Sequence, residues 1–127
     1  MIRCMQGLHL TADLSGCNVH QAVMTDVQAL RQLCLGAVAA AGLQAVGELF
    51  HCFAQAGGIT GVVLLAESHL AVHTWPELGA VTLDVYVCNF QADNSHRAQS
   101  LLLALEAAFD AASVQHQRVQ RGGLALV

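Results

Sequence analysis

The alternation of apolar and polar side chains between residues 80 and 88 most constrains the fold of this chain. The two sets are Val81, Leu83, Val85 and Val87 on one side and Thr82, Asp84, Tyr86 and Cys88 on the other. Because successive side chains of a β-strand point to opposite faces, this segment predicts a strand with one face on a core. The opposite face, which carries Tyr86 and Cys88, is then free for a partner or a site.

Similar alternation and short apolar runs predict the other strands. Their ranges are 2–14, 44–54, 60–66 and 69–75, with a short edge strand after Gly122-Gly123. Apolar residues at spacings of three and four predict two amphipathic helices, at about 19–41 and about 94–112. Gly42 is the expected C-terminal cap of the first, and Asp93 the N-cap of the second.

The predicted order of elements is β-α-β-β-β-β-α-β. This order is typical of an α+β fold, a two-layer α/β sandwich in which two helices cover one face of a mostly antiparallel sheet. The length of 127 residues suits a single domain over residues 1–127.

Composition excludes several classes of protein. The net charge is −4 and the five basic residues form no cluster, so nucleic-acid binding is not expected. No run approaches ~18 apolar residues and the N-terminus lacks a signal-peptide pattern, which predicts a cytoplasmic protein without a membrane partner. The five cysteines include no CxxC pair, so we interpret them as reduced thiols rather than a disulfide framework or a metal site.

Reactive groups are concentrated in residues 67–77, which have the sequence ESHLAVHTWPE. They include a serine hydroxyl, two imidazoles and two carboxylates, and the thiol of Cys88 follows at the end of the next strand. Taken singly, Ser68 could be a turn residue, the histidines polar residues of a sheet, and Cys88 a small core residue. A metal site at His69 and His73 is not expected, because strand residues four apart are separated by ~13 Å.

As one string, ESHLAVHTWPE resembles the self-cleaving segment of bacterial S-adenosylmethionine decarboxylases, the pyruvoyl enzymes of polyamine synthesis. The resemblance extends from Gly7-Leu8-His9-Leu10 to Cys88 and is densest from Gly61 to Glu77. The chain contains no lysine. Pyridoxal-phosphate enzymes and Schiff-base aldolases need a lysine amine, whereas a pyruvoyl group supplies its own carbonyl as the electron sink.

The resemblance implies cleavage of the Glu67–Ser68 bond, which gives chains 1–67 and 68–127 and converts Ser68 into the pyruvoyl cofactor. It assigns His73 as the base for the elimination step of this reaction. It also places Thr60 where the family has a serine that assists processing. Threonine keeps the hydroxyl but adds a methyl group and stiffens χ1.

The resemblance further implies a mature enzyme that decarboxylates S-adenosylmethionine and so supplies the aminopropyl donor for spermidine synthesis. Cys88 takes the role of the acid that protonates the substrate Cα. The family stacks the adenine on aromatic side chains and holds the ribose with a carboxylate, and Phe53 and Glu77 are the substrate-binding residues that the resemblance implies. In this chain Cys88 is flanked by Val87 and Asn89, where the family usually has threonine and glycine. The high hydrophobic content and the open sheet face predict a homodimer, and the resemblance implies active sites at or near the subunit boundary that draw residues from both chains.

Two alternatives remain open at this point. Aromatic residues are scarce, and positions typical of the family before Thr60 and after Glu77 are occupied by Ala, Gln, Gly and Leu. A pyruvoyl-dependent ornithine or arginine decarboxylase on the same fold is therefore the first alternative. The second is an uncleaved, non-catalytic homologue that serves as a binding or regulatory subunit.

Overall fold

A computed structural model describes residues 3–89 and 92–126 of the chain. Its strands and helices are β1 (Arg3–Ser15), α1 (Val27–Ala40), β2 (Ala45–Cys52), β3 (Ile59–Leu65), β4 (Ser68–Trp75), β5 (Ala80–Cys88), α2 (Ser95–Phe109) and β6 (Ser113–Leu126). Short 3₁₀ turns at Ala22–Met24 and Pro76–Leu78 precede α1 and join β4 to β5. Ile2 and Val127, the outer ends of the predicted first and last strands, lie outside the described residues.

The strands form one six-stranded sheet in the order β2-β3-β4-β5-β1-β6. Every pairing among the described strands is antiparallel. Helix α1 packs against β2 and β3, and α2 packs against β1 and β5. The predicted α+β two-layer sandwich is therefore confirmed.

The core lies between the helices and one face of the sheet. The alternation predicted for residues 80–88 holds, because the four apolar side chains of β5 are fully buried while their polar neighbours are only half-buried. Thr74 is a polar residue of this core, and its hydroxyl accepts a hydrogen bond from the Ile59 N–H and donates one to the Met24 carbonyl, each at 2.9 Å. The opposite face of the sheet, called the open face below, carries no helix among the described residues.

Helix α1 begins at Val27, so its predicted start near residue 19 was wrong. The Asp26 carboxylate accepts hydrogen bonds from the N–H groups of Gln28 and Ala29, which makes it the N-cap. The predicted end was right. Gly42 has a φ of 79°, and its N–H and that of the next residue bond back to helix carbonyls in a Schellman motif.

Helix α2 is also shorter than predicted. It begins at Ser95 with Asn94 at the N-cap position, and it ends at Phe109 because Asp110 takes the left-handed conformation, with a φ of 49°. The Asp93 carboxylate still accepts the Ser95 N–H at 2.9 Å, and this hydrogen bond holds the pKa of Asp93 below its usual value.

The last strand was underestimated. The prediction was a short strand after Gly122-Gly123, whereas β6 has 14 residues and pairs along the whole of β1. Its sequence, SVQHQRVQ, is largely polar and lacks the apolar alternation that predicts a strand, because side chains at the sheet edge are exposed on both faces. Backbone pairing with β1, rather than burial, therefore holds this segment in place.

Candidate active site

The β3–β4 turn holds the predicted cleavage bond. Leu65 pairs with Ser68, so the turn consists of Ala66 and Glu67. Glu67 has a φ of 58°, a left-handed conformation that costs a residue with a Cβ about 1–2 kcal/mol. The residue before the predicted cleavage bond is therefore strained in the folded chain.

Ser68 and Cys88 meet at this end of the sheet. The Ser68 hydroxyl oxygen accepts a hydrogen bond from the backbone N–H of Cys88 at 3.1 Å. Both residues are half-buried, and the Cys88 side chain is on the open face. We call Glu67, Ser68 and Cys88 the cleavage group.

Thr60 and His73 lie together at the other end of β3 and β4. They are paired residues of adjacent strands, and Thr60 Oγ1 lies 3.1 Å from His73 Nδ1. The indole of Trp75 stacks on the same imidazole, with ring centroids 5.7 Å apart and an angle of 26° between the planes. We call Thr60, His73 and Trp75 the imidazole group.

A cavity of about 430 Å³ opens beside the imidazole group. It is lined by Phe53, Gln55, Ala56, Gly58, Thr60, His73, Thr74, Trp75 and Glu77. The loop that forms one wall is closed at its base by a hydrogen bond from the Phe53 N–H to the Gly58 carbonyl. The structure thus brings four of the predicted site residues, Phe53, Thr60, His73 and Glu77, to one cavity.

The cleavage group does not belong to this cavity. Ser68 and His73 are five residues apart on one strand, which separates them by about 16 Å at the usual strand rise. Neither Ser68 nor Cys88 lines the cavity. Within one chain, the predicted site residues therefore form two groups at opposite ends of β4.

The sequence comparison with known families identifies the chain. The family model described as S-adenosylmethionine decarboxylase matches residues 8–122, which is most of the sequence. The chain belongs to the S-adenosylmethionine decarboxylase family. The resemblance found in ESHLAVHTWPE is confirmed by this match, which extends well beyond that string.

Individual members of the S-adenosylmethionine decarboxylase family agree. The chain is 42% identical over 97 residues to the S-adenosylmethionine decarboxylase proenzyme of Aquifex aeolicus, covering 76% of this chain and 69% of that protein. It is 46% identical over 82 residues to the proenzyme of Persephonella marina, covering 65% of this chain and 59% of that protein. The second alignment thus spans less than two thirds of the relative's own length.

The comparison with solved structures supports the same family assignment. The crystal structure of the adenosylmethionine decarboxylase from Aquifex aeolicus matches with a TM-score of 0.81 and 35% identity, covering 94% of this chain and 92% of that one. Helices within residues 3–89 and 92–126 are too short or too polar to cross a membrane.

Cysteines elsewhere in this family member differ from Cys88 in their surroundings. Burial raises the pKa of the Cys17 thiol. Burial, with a smaller effect of the Glu48 carboxylate, raises the pKa of Cys34 to about 12. These two thiols lie in the core, so neither is a candidate for proton transfer to a substrate.

Sequence reasoning missed two features of the open face. Trp75 was interpreted only as the end of a strand, although its position two residues after His73 puts both side chains on one face. The second feature is a cluster around Tyr86. Its ring stacks on that of His69, with the ring centroids 5.7 Å apart. It also lies over Gly7, where an added Cβ would be 2.3 Å from the phenol oxygen. His9 completes the cluster, with Nε2 at 3.2 Å from Asp84 Oδ1.

Proposed function

We propose that this chain is the proenzyme of a pyruvoyl-dependent decarboxylase of S-adenosylmethionine, which forms the aminopropyl donor for spermidine synthesis. The observation that carries the proposal is the hydrogen bond that holds the Ser68 hydroxyl beside Cys88 in a chain of this family. The family match favours adenosylmethionine over the alternatives ornithine and arginine.

The proposed processing reaction begins at the Glu67–Ser68 bond. Ser68 Oγ attacks the Glu67 carbonyl carbon, the C–N bond breaks, and the peptide becomes an ester with a free amine on Ser68. Removal of the Ser68 Cα proton then breaks the Cβ–Oγ bond and expels the Glu67 carboxylate. Water converts the remaining dehydroalanine into the pyruvoyl group and ammonia. The strain at Glu67 supports this site of cleavage.

His73 of the same chain cannot be the base for the elimination, because about 16 Å separates it from Ser68. A second copy packed against the open face removes this difficulty. We place a two-fold axis between the sheets of the two copies, perpendicular to the strands and level with the middle of β4. The strands of the partner subunit then run in the opposite direction. His73 and Thr60 of the partner subunit then lie opposite the end of β4 and β5 that carries the cleavage group.

The exposed apolar side chains of the open face support this homodimer. Leu49 is 72% exposed and Leu64 49% exposed, and Phe53 at the cavity rim is also 49% exposed. Leu49 pairs with Val62, two residues from Leu64, so these side chains are neighbours on the open face, and contiguous exposed apolar patches mark interaction sites. Dimerisation would also bring the cavity of one chain to the cleavage group of the other.

The mature enzyme would use these groups on the substrate. The pyruvoyl group formed from Ser68 supplies the carbonyl electron sink for decarboxylation. Cys88 protonates the substrate Cα after CO₂ has left. Phe53 and Glu77 line the cavity, where an aromatic face and a carboxylate suit an adenine ring and ribose hydroxyls. The cavity volume of about 430 Å³ is within the usual range for small-molecule sites.

Cleavage would leave the domain intact. Residues 1–67 and 68–127 contribute β3 and β4, which pair from Leu65–Ser68 to Thr60–His73, so the two chains stay hydrogen-bonded after the turn is cut. We therefore treat residues 1–127 as one domain. We place the enzyme in the cytoplasm, where the thiol of Cys88 stays reduced.

Intact-mass measurement of the purified protein tests the processing step. After prolonged incubation we expect fragments 1–67 and 68–127, with a pyruvoyl-blocked N-terminus on the second, and no cleavage in a Ser68→Ala control. Persistence of the full-length chain alone would contradict the proposal and favour the uncleaved homologue. CO₂ release from adenosylmethionine, ornithine and arginine by the processed protein then identifies the substrate.

A further inference from the structure

We infer that Trp75 is a positioning residue for His73, acting together with Thr60 to fix the imidazole that serves as the base. The inference rests on the proposed role of His73 and adds a residue to it. The contacts that carry it are the stacked rings of Trp75 and His73 and the hydrogen-bonding distance between Thr60 Oγ1 and His73 Nδ1.

The local sequence explains why the indole lies on the imidazole. Residues two apart on a strand are separated by about 6.6 Å and point to the same face. The ring centroids are 5.7 Å apart, so the two rings lean toward each other. The neighbour of Trp75 on β5 is Ala80, which is small enough to leave this space to the indole. Pro76 disfavours the α conformation at Trp75, which has φ −124° and ψ 85°.

The two contacts constrain different properties of the imidazole. The hydrogen bond to Thr60 Oγ1 holds the Nδ1 side of the ring and leaves Nε2 free to act as the base. One hydrogen bond still allows the ring plane to turn about the bond. The flat face of Trp75 restricts that rotation. Thr60 therefore anchors Nδ1, and Trp75 sets the ring plane.

Processing rates of three variants test this role. Trp75→Leu removes the aromatic face but keeps an apolar side chain, and we expect self-cleavage to slow by about 10-fold, part of the 10²–10⁴-fold worth of a positioned base. Trp75→Phe keeps a flat ring and should stay within about 3-fold of wild type. Leu78→Ala, at a 71% exposed position in the adjoining turn, is the control and should process normally. Thermal melting checks that all three fold.

Fluorescence tests the ring contact without any cleavage. Trp75 is the single tryptophan of the chain, and an imidazole in contact with an indole quenches its emission. In the uncleavable Ser68→Ala protein, we therefore expect a further His73→Gln substitution to raise the emission intensity. His20→Gln, at an exposed histidine outside the site, is the control and should leave the intensity unchanged.

The results separate this inference from the proposed function. A wild-type processing rate in folded Trp75→Leu, or an emission intensity that His73→Gln leaves unchanged, would overturn the role of Trp75. If the wild-type chain never cleaves, the proposed function is wrong, and the fluorescence comparison alone then decides whether Trp75 contacts the imidazole.

Discussion

Co-expression of two inactive variants would show whether one active site is built from two chains. A Ser68→Ala chain lacks the attacking hydroxyl, and a His73→Ala chain lacks the base, so neither homodimer should form a pyruvoyl group. The two residues are about 16 Å apart in one chain, whereas proton transfer requires contact at about 3 Å. In a heterodimer, one site combines an intact Ser68 with an intact His73 of the partner subunit.

The expected yield follows from pairing. Equal amounts of the two variants give about one half heterodimers by random association. Only the chain with an intact Ser68 is cleaved in each, so about one quarter of all chains should be processed. The cleaved fragment 68–127 must carry alanine at position 73, which mass spectrometry distinguishes from every other product.

Two outcomes would refute this reasoning. Heterodimers purified through two different affinity tags that contain no pyruvoyl-blocked fragment would exclude the shared site. Formation of that fragment by the His73→Ala chain alone would exclude His73 as the base. Ester hydrolysis is distinguished from processing because it leaves serine, not pyruvoyl, at the new N-terminus.

The remaining predictions concern single residues. Ser68→Ala should yield only full-length chain by mass, and any fragment 68–127 would contradict the proposed nucleophile. The Cys88→Ala variant should still undergo self-cleavage but release CO₂ from adenosylmethionine about 10²–10⁴-fold more slowly, the usual contribution of a general acid. A wild-type rate of CO₂ release would show that Cys88 has no role in proton transfer. In the uncleavable background, Glu67→Gly should raise the free energy of unfolding by up to about 1 kcal/mol in urea melts, because glycine adopts a φ of 58° without strain. Thr74→Val should lower that free energy by about 1–3 kcal/mol and the Tm by about 4–10 °C, because two buried backbone groups lose their partner; Thr11→Val on the open face is the control.

Much of the fold could be predicted because most elements have one clearly apolar face. The limits of β3, β4 and β5 agree with the prediction to within one residue at each end. The start of α1 could not be predicted from spacing, because the segment before Asp26 has the same apolar spacing as the helix. Only the N-cap at Asp26 marks the residue where the helix begins. The last strand was predicted too short because the residues of β6 are largely polar. An edge strand that pairs along the whole of β1 needs little burial of its side chains.

The residues of the candidate site were predictable, but their arrangement was not. Their order in ESHLAVHTWPE suggests one compact cluster, and closeness in sequence is misleading along a strand. The same strand rise that argues against a metal shared by His69 and His73 also keeps Ser68 away from His73. Phe53 and Glu77 are distant in sequence but line one cavity with His73, because β2, β3 and β4 are neighbours in the sheet.

The shape of the sheet explains why a second copy is the simplest way to complete the site. Strand β4 has eight residues and is about 26 Å long, so groups at its two ends cannot meet without breaking the pairing with β3 and β5. Its alternation buries Leu70 and Val72 under the helices and leaves His69 and His73 on the open face. A second chain with reversed strand direction, packed on the open face, brings the imidazole group of one copy to the end of the sheet that carries the cleavage group of the other. Each two-fold pair then contains two such sites, which is why the mixed-variant experiment should rescue one of the two and never both.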